Sequence, residues 1–370
     1  MTTTGTVLTT RELNRATLAR QLLLSRSDRT VLAAVEHLVG LQAQAVNPPY
    51  QALAARLAGF RPEDLSRLLA GREVVRIALM RSTIHLVSAA DCRTLRPLLQ
   101  PVQDRLFRGN QGKRLAGVDL GRLAELARGL VEERPLTFKA LGEELRSHWP
   151  DHDRQDLAMA ARAALPLVQV TPRGLWGRSG PVAHTTAEAW LGTPPGPRPE
   201  PDPAAMVLRY LAAFGPASVR DVQTWSGLTR LREVVEPMRP RLRTFRDPQG
   251  VELFDLPDAP RPEADTPAPP RFLPDFDNLL LSHADRTRVV DDAARRRIWV
   301  GNQAYPSFLV DGFVRGTWRI EETDDAATLV MQPFAPLAPR DRAALEQEAA
   351  GVLAMRAPGA RHEVRVLAEG

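Results

Sequence analysis

The sequence predicts an α+β protein in which a unit of helices closed by a β-hairpin recurs three times ahead of a β-rich C-terminal region. Three observations predict it. Helical periodicity gives way to paired strand-like runs at residues 73–89, 166–180 and 242–256. Two proline-rich stretches, "GTPPGPRPEPDP" (192–203) and "PDAPRPEADTPAPPR" (257–271), set the third unit apart from its neighbours. Past the second break the pattern is mainly alternating strands with one amphipathic helix.

The elements follow in order. "TTRELNRATLARQLLL" carries an N-cap threonine and apolar Leu13, Leu18 and Leu22 at helical spacing. "SDRTVLAAVEHLVG" continues with a Val31, Val35, Leu38 stripe, and Gly40 suits the end of that helix. "PPYQALAARLAG" and "RPEDLSRLLAG" read as two short helices. "EVVRIALM" and "RSTIHLVSA" then pair as strands, and Ser-Ala-Ala-Asp opens the next helix. The second unit repeats the plan with "GRLAELARGLVEE", "LTFKALGEELRSHW" and "RQDLAMAARAAL". Its hairpin, "PLVQVTPRGLWGRSG", turns at Pro172, Arg173 and Gly174. The third unit has "AAMVLRYLAAFG", "SVRDVQTWSG" and "LREVVEPMRPRL", with a hairpin turning between Asp247 and Gly250. Helices closed by a hairpin are the plan of a winged helix. The predicted divisions are 1–115, 116–195, 196–265 and a β-rich 266–370. In that last region "RIWVGN", "SFLVDGFVRGTWRIEE", "ATLVMQPF" and "HEVRVLA" are strands and "APRDRAALEQEAAGVLAM" is a helix.

At 370 residues the chain has room for two to four modules, and 44% hydrophobic with 25% charged residues is ordinary for a globular protein. No run of 18 apolar residues and no leader pattern is visible, so a cytoplasmic protein without a membrane span is expected. Cys92 is the one cysteine, which excludes disulfides and cysteine-based zinc sites within the chain. His148 and His152 have i,i+4 spacing without the glutamate of a zincin, and read as a solvated helix end rather than a metal site. No Walker loop, dinucleotide fingerprint or serine-hydrolase elbow occurs, so no cofactor is expected. Net charge is +5, concentrated in residues 1–115, where 17 Arg or Lys face 8 Asp or Glu. A basic N-terminal third favours a polyanion partner. Arginine enrichment through coding bias gives the same count.

Five strings in order, "LVGLQAQ…PPYQALAARL", "LMRSTIHLVSAADC", "RYLAAFGPASVRDVQTWSGL", "LPDFDNLLLSHADRTRVV" and "FLVDGFVRGTWR", resemble the AlkZ-like winged-helix DNA glycosylase superfamily. The resemblance runs from about residue 38 to 320. It implies three tandem winged-helix motifs in a C-shaped arrangement and monofunctional excision of N7-alkylated purines from double-stranded DNA by a monomer. It further implies unhooking of interstrand crosslinks made by DNA-alkylating natural products, and so a role in self-resistance. The family's Gln-x-Gln motif falls on Gln42 and Gln44, which places catalysis there.

The chemistry of those residues agrees. Amides have no useful pKa, so they cannot act as general bases, but they can orient a water. That suffices where the leaving base is already cationic and departs neutral, as an N7-alkylguanine does. Both amides share a face only if the backbone is extended from Gln42 to Gln44, which requires the preceding helix to stop near Gly40. Lys113 and Lys139 are the only lysines and neither sits in a motif, which argues against a Schiff-base lyase. Arg81, Thr83 and His85 alternate on a strand-like segment and are candidates to contact DNA, as is Arg173 at its hairpin turn. A buried sheet histidine and a solvated turn are the competing readings. Among Asp275, Asp277, Asp285 and Arg286, an internal Asp–Arg pair fixing a domain joint is expected. Trp176, Trp225 and Trp318 are expected in the core. The alternative function is a noncatalytic winged-helix DNA-binding regulator, and an enzyme acting on a small molecule lacks any supporting motif.

Overall fold

A computed structural model describes residues 6–192 and 200–368, so positions 193–199 of the first proline-rich linker lie outside the described residues. Helix α1 (Thr10–Arg20) starts at Thr9, which forms a capping box with Glu12. It stops at Arg20, short of the predicted leucine run. Leu22 adopts φ +58°, and the Leu23 N–H reaches back to the Leu18 carbonyl at 2.9 Å, closing the helix as a Schellman turn.

The first unit contains α2 (Val31–His37), β1 (Leu41–Gln42), α3 (Pro48–Arg56), α4 (Pro62–Ala70), β2 (Val74–Ala78) and β3 (Ile84–Ser88). Ser88 caps α5 (Ala89–Leu98), as its sequence context predicts. A further helix, α6 (Gln100–Asn110), was not expected: its polar, glycine-ended sequence hides the one buried stripe around Val102 and Gln103. The second unit comprises α7 (Leu120–Glu133), β4 (Leu136–Thr137), α8 (Phe138–Arg146), α9 (Arg154–Ala164), β5 (Leu167–Gln169) and β6 (Ala183–Thr186), followed by α10 (Ala187–Leu191). The third holds α11 (Pro203–Phe214), α12 (Val219–Ser226), α13 (Arg232–Val235), β7 (Arg243–Arg246) and β8 (Glu252–Asp255). Each unit thus runs helix, short extended segment, helices, hairpin. The short segment adds to the hairpin each time, as β1 on β3, β4 on β6, and the lone bridge of Ala217 to Phe254.

The units differ at the junction between the short extended segment and the next helix. In the second, Thr137 ends the short strand and itself caps α8. In the third, Ala217 is followed at once by Ser218, which caps α12. In the first, residues 43–47 intervene between β1 and α3, and α3 begins on a proline pair without a side-chain cap. Gln44 lies on that extra segment.

The hairpins of the first two units merge into one antiparallel six-stranded sheet, ordered β1-β3-β2-β5-β6-β4. One face of its β1–β3–β2 half covers an aliphatic core with α2, α3 and α4. The other face meets α5, α6, α11 and α12 around Tyr210, Phe214 and Trp225. The C-terminal region has β9 (Arg271–Leu273), α14 (Asp292–Ile298), the small hairpin β10 (Trp299–Val300) and β11 (Gln303–Ala304), then β12 (Ser307–Val310), β13 (Phe313–Glu322), β14 (Ala326–Pro333), α15 (Pro339–Arg356) and β15 (Arg361–Val366). Five of these strands form a sheet ordered β15-β14-β13-β12-β9, with β15 parallel to β14. No helix among the described residues is long and apolar enough to cross a membrane.

Helix α1 joins the third unit to this C-terminal region. Arg20 makes a fully buried pair with Asp255, and Arg11 and Arg15 both hold Asp311. The same arginines donate to the carbonyls of Ala264, Thr266 and Pro260, so the second proline-rich break is packed against α1. Trp225 and Trp318 are core residues as expected, but Trp176 is half-buried, tilted on Tyr50 with Arg356 over its ring.

Candidate active site

Helix α2 ends at His37, with Leu38 as its cap, and the next two residues take left-handed conformations: Val39 at φ +55° and Gly40 at φ +87°. Only glycine fits the second position. A Cβ there would lie 2.5 Å from Val87 Cγ1 and 3.0 Å from the Leu86 carbonyl oxygen. The reversal delivers Leu41 and Gln42 to the edge of the sheet, opposite Leu86 and His85. Ala43 extends the ladder by donating to the Ile84 carbonyl at 2.7 Å. That bond leaves Gln42 and His85 as a non-hydrogen-bonded pair, the register that brings opposed side chains closest.

The ladder then departs from regularity. The Ala43 carbonyl accepts from Arg76 Nη2 at 2.6 Å, and the Ala45 carbonyl also takes the Arg76 guanidinium. Ile84 N–H therefore donates to the side-chain Oε1 of Gln44, at 2.7 Å. Gln42 is 7% exposed, whereas Gln44 is exposed. Gln42 Oε1 accepts from Arg81 Nη2 at 2.9 Å. Both donors lack acceptor capacity, so the oxygen ends of the two amides are turned toward protein. Neither amide nitrogen donates to a protein group among the described residues.

Asn278 secures the backbone beneath. Its Nδ2 donates to the Gly40 carbonyl at 2.6 Å and its Oδ1 accepts from Gln42 N at 3.2 Å. Its neighbour Asp277 makes a bidentate pair with Arg56, at 2.7 and 2.9 Å, with both side chains fully buried. This is the expected internal ion pair, but its cation comes from α3. Arg286 instead stacks on Trp299 at 4.9 Å, and Asp285 accepts from Thr287 N. Asp275 is half-buried, and burial raises its carboxyl above the ordinary value.

The other predicted residues are placed differently. Arg81 and Thr83 do not alternate with His85 on a strand. Met80–Ser82 is a tight turn with Arg81 at φ +53° and Ser82 at φ +58°, and β3 starts only at Ile84. Ser82 N donates to the Leu79 carbonyl and Thr83 N to the Met80 carbonyl, and Gln103 and Arg162 hold Ser82 from outside the turn. Thr83 Oγ1 donates to the Met80 carbonyl. His85 is 1% exposed; burial, reinforced by Arg81, pushes its imidazole down to about 3, so it is neutral at physiological pH. Its Nδ1 bonds the Thr83 carbonyl, which requires the proton on that nitrogen.

Arg173 is not at a hairpin tip. The strand after it is Ala183–Thr186, and the intervening stretch, broken by Pro172, Gly174, Gly177, Gly180 and Pro181, folds onto the first unit. Gly174 packs against Arg76, its carbonyl accepts from Tyr50 at 2.7 Å, and Arg173 Nε is buried without a partner. His148 lies beyond the end of α8, so it does not share a helix turn with His152. Sequence reasoning missed Asn278 and Arg76. Asn278 lies in a family string and Arg76 in a predicted strand, but their roles are contacts with backbone carbonyls, which composition does not reveal.

The basic surplus also changes meaning. Arg15, Arg20, Arg56, Arg76 and Arg96, all within residues 1–115, are at most 3% exposed and bond carbonyls or buried acids. They brace the fold, and the partner has to be inferred from kinship.

A family model described as DNA glycosylase AlkZ-like matches residues 35–355, and the chain belongs to that family. A curated relative from Streptomyces sahachiroi, an interstrand DNA cross-link repair glycosylase, is 27% identical, covering 94% of this chain and 96% of its own. The solved structure of Streptomyces sahachiroi DNA glycosylase AlkZ superposes with a TM-score of 0.79 at 23% identity, over 98% of this chain and all of that one.

Proposed function

We propose that the chain is a monofunctional glycosylase for N7-alkylated purines in double-stranded DNA, with Gln42 and Gln44 holding the attacking water. It acts as a monomer on bulky adducts or interstrand crosslinks, by kinship with the cross-link repair glycosylase it resembles. The observation that carries this reading is the pair of amides on the edge segment, with oxygens engaged and, among the described residues, nitrogens unengaged and no Asp or Glu bonded to either. Each amide keeps N–H donors and a second oxygen lone pair, enough to orient one water and the lesion but not to take a proton.

The chemistry balances without a general acid. The C1′–N9 bond of a cationic N7-alkylguanosine breaks with its electron pair going to N9, and the base leaves neutral. Water adds to the C1′ cation and loses a proton to solvent, leaving an abasic site. A neutral base such as uracil would leave as an anion and should not be released. Arg81, Thr83, His85 and Arg173 line or support the DNA-facing edge in this reading.

The test is purified protein on duplex DNA carrying N7-methylguanine or a bulky N7 adduct, followed by alkali. Strand cleavage by the wild type and its loss in the Gln42→Ala, Gln44→Ala double variant are expected. DNA binding without base release would point instead to a noncatalytic DNA-binding protein.

A further inference from the structure

Arg81 has the wrong surroundings for a residue that meets a phosphate. Its guanidinium commits one nitrogen to Gln42 Oε1 at 2.9 Å and another to the Trp225 carbonyl at 2.5 Å, at the end of α12. No carboxylate among the described residues bonds it, and the charge that acts on it is a second cation, Arg286. The turn that presents it holds two successive non-glycine residues in left-handed conformations, which persists only where surroundings enforce it. They do so from two helices. Ser82 Oγ donates to Gln103 Oε1 at 2.7 Å, Gln103 Nε2 donates to the Leu79 carbonyl at 2.9 Å, and Arg162 holds both the Ser82 carbonyl and hydroxyl. Across from the turn, Gly227 closes α12 in a left-handed conformation. A Cβ there would fall 2.9 Å from Val102 Cγ1 and 3.5 Å from Arg81 N. So much construction for one side chain needs a purpose.

We propose that Arg81 is a positioning residue for Gln42, acting through the amide and not on the DNA backbone. The inference rests on Gln42 being catalytic. An arginine has donors only, so it selects the oxygen of the amide and forbids the flipped orientation. The Gln42 NH2 group is thereby fixed on the side away from Arg81, and the adjacent cation polarises the amide so that its N–H groups donate more strongly. Lysine, also a donor only, keeps the selection but loses the rigidity, because one nitrogen on a flexible stem cannot hold Gln42 and the Trp225 carbonyl in a fixed fork. The bond also ties the sheet edge to α12, so the water-holding amide is referenced to both layers. Burial lowers Arg81 to about 10, which leaves it charged at neutral pH and the fork intact.

The experiment measures single-turnover base release at saturating enzyme, DNA affinity and its salt dependence, on duplex DNA with N7-methylguanine. The variants are Arg81→Met, Arg81→Lys, Arg81→Gln, Gln42→Ala and Arg81→Met with Gln42→Ala. Arg81→Met should slow release by about 10- to 100-fold, the usual effect of losing an orienting partner. Affinity should stay within about threefold and the salt slope should not change. Arg81→Lys, which keeps donors only, should recover more of the rate than Arg81→Gln, whose own oxygen accepts and so permits the flipped amide. In the Gln42→Ala background the Arg81 substitution should add nothing, because residues acting as a unit are non-additive. The proposal is overturned if Arg81→Met leaves the saturated rate intact while affinity and salt slope fall, the signature of a phosphate contact. It is equally overturned if the two losses multiply, or if Arg81→Lys and Arg81→Gln, folded by circular dichroism, are as slow as Arg81→Met. Wild-type release by Gln42→Ala would instead sink the catalytic reading of Gln42 itself.

Discussion

Breaking the Arg56–Asp277 pair should cost more stability than any surface change, and should slow catalysis as well. Both side chains are 0% exposed, and the two bonds, at 2.7 and 2.9 Å, form a planar fork between α3 and the segment that follows β9. Asp277→Ala leaves a guanidinium stranded in the interior with only Gln21 and the Ala52 carbonyl as partners. Stranding one member of such a pair costs about 3–5 kcal/mol. At about 1.3 °C per kcal/mol for a chain of this size, the melting temperature should drop by about 4–6 °C. Asp277 also accepts from Leu279 N and directly precedes Asn278, which holds Gly40 and Gln42. Base release should therefore slow even 20 °C below the new melting point. Urea unfolding and calorimetry of Asp277→Ala and Asp277→Asn measure the first effect, and single-turnover release the second. Replacing both partners by apolar residues, Arg56→Met with Asp277→Leu, should restore most of the stability, because no lone charge remains. If Asp277→Asn stays within about 1 kcal/mol of wild type, the pair is not what joins these layers. For comparison, Glu321→Ala removes the exposed pairs of Glu321 with Arg319 and Arg365 and should cost under about 1 kcal/mol.

Three further outcomes follow from single features. Gly40→Ala combines a left-handed backbone with the close Val87 Cγ1 approach; it should lower stability by about 1–3 kcal/mol and displace β1, so that release falls while DNA binding persists in a gel-shift assay. Stability should fall as pH drops below about 6.5, because His85 and His184 are pushed down to about 3 and about 4 by burial and His283 is lowered likewise. The unfolded chain binds those protons first, so each histidine removes up to about 1.4 kcal/mol per pH unit between the unfolded and folded values, and urea midpoints at pH 7.5 and 5.5 that coincide would contradict this. Cys92 is 1% exposed and burial pushes its thiol up to about 12, so a thiol reagent at pH 8 should label it only after denaturant is added; rapid labelling of the native protein would be inconsistent with its burial.

The elements were readable because their signals are local. Thr9 with Glu12, Ser88 ahead of Asp91, and the glycine after α12 announce helix ends within four residues of chain. Alternation marked the strands. The failures share a cause in tertiary override. "RSTIH" alternates as a strand should, yet Arg81 and Ser82 turn left-handed because Gln103 and Arg162, far along the chain, hold the turn. "PRGLWG" looks like a tight hairpin, yet the chain runs on to Ala183, with Gly174 and Trp176 bonded to Tyr50 and Ser66 of the first unit. The count of 17 cations in residues 1–115 suggested a polyanion partner, yet five of them are buried arginines that brace carbonyls or buried acids.

The same reasoning explains why the two glutamines could be found from sequence while their arrangement could not. A Gln-x-Gln string after a glycine is a local fact. What sets this candidate site apart is an insertion relative to the chain's own repeats. Where the second and third units pass directly from the short strand into a capped helix, the first inserts residues 43–47. Those residues leave the Ile84 N–H without its usual ladder acceptor, because Arg76 has taken the Ala43 carbonyl. Gln44 fills the vacancy with its side chain. Gln44 is thus partly structural, and its loss should differ in kind from that of Gln42. Gln44→Ala should loosen the sheet edge, seen as faster amide exchange at Ile84, whereas Gln42→Ala should leave that exchange unchanged and remove only the chemistry. Equal exchange at Ile84 in both variants would show that the Gln44 side chain does not complete the ladder.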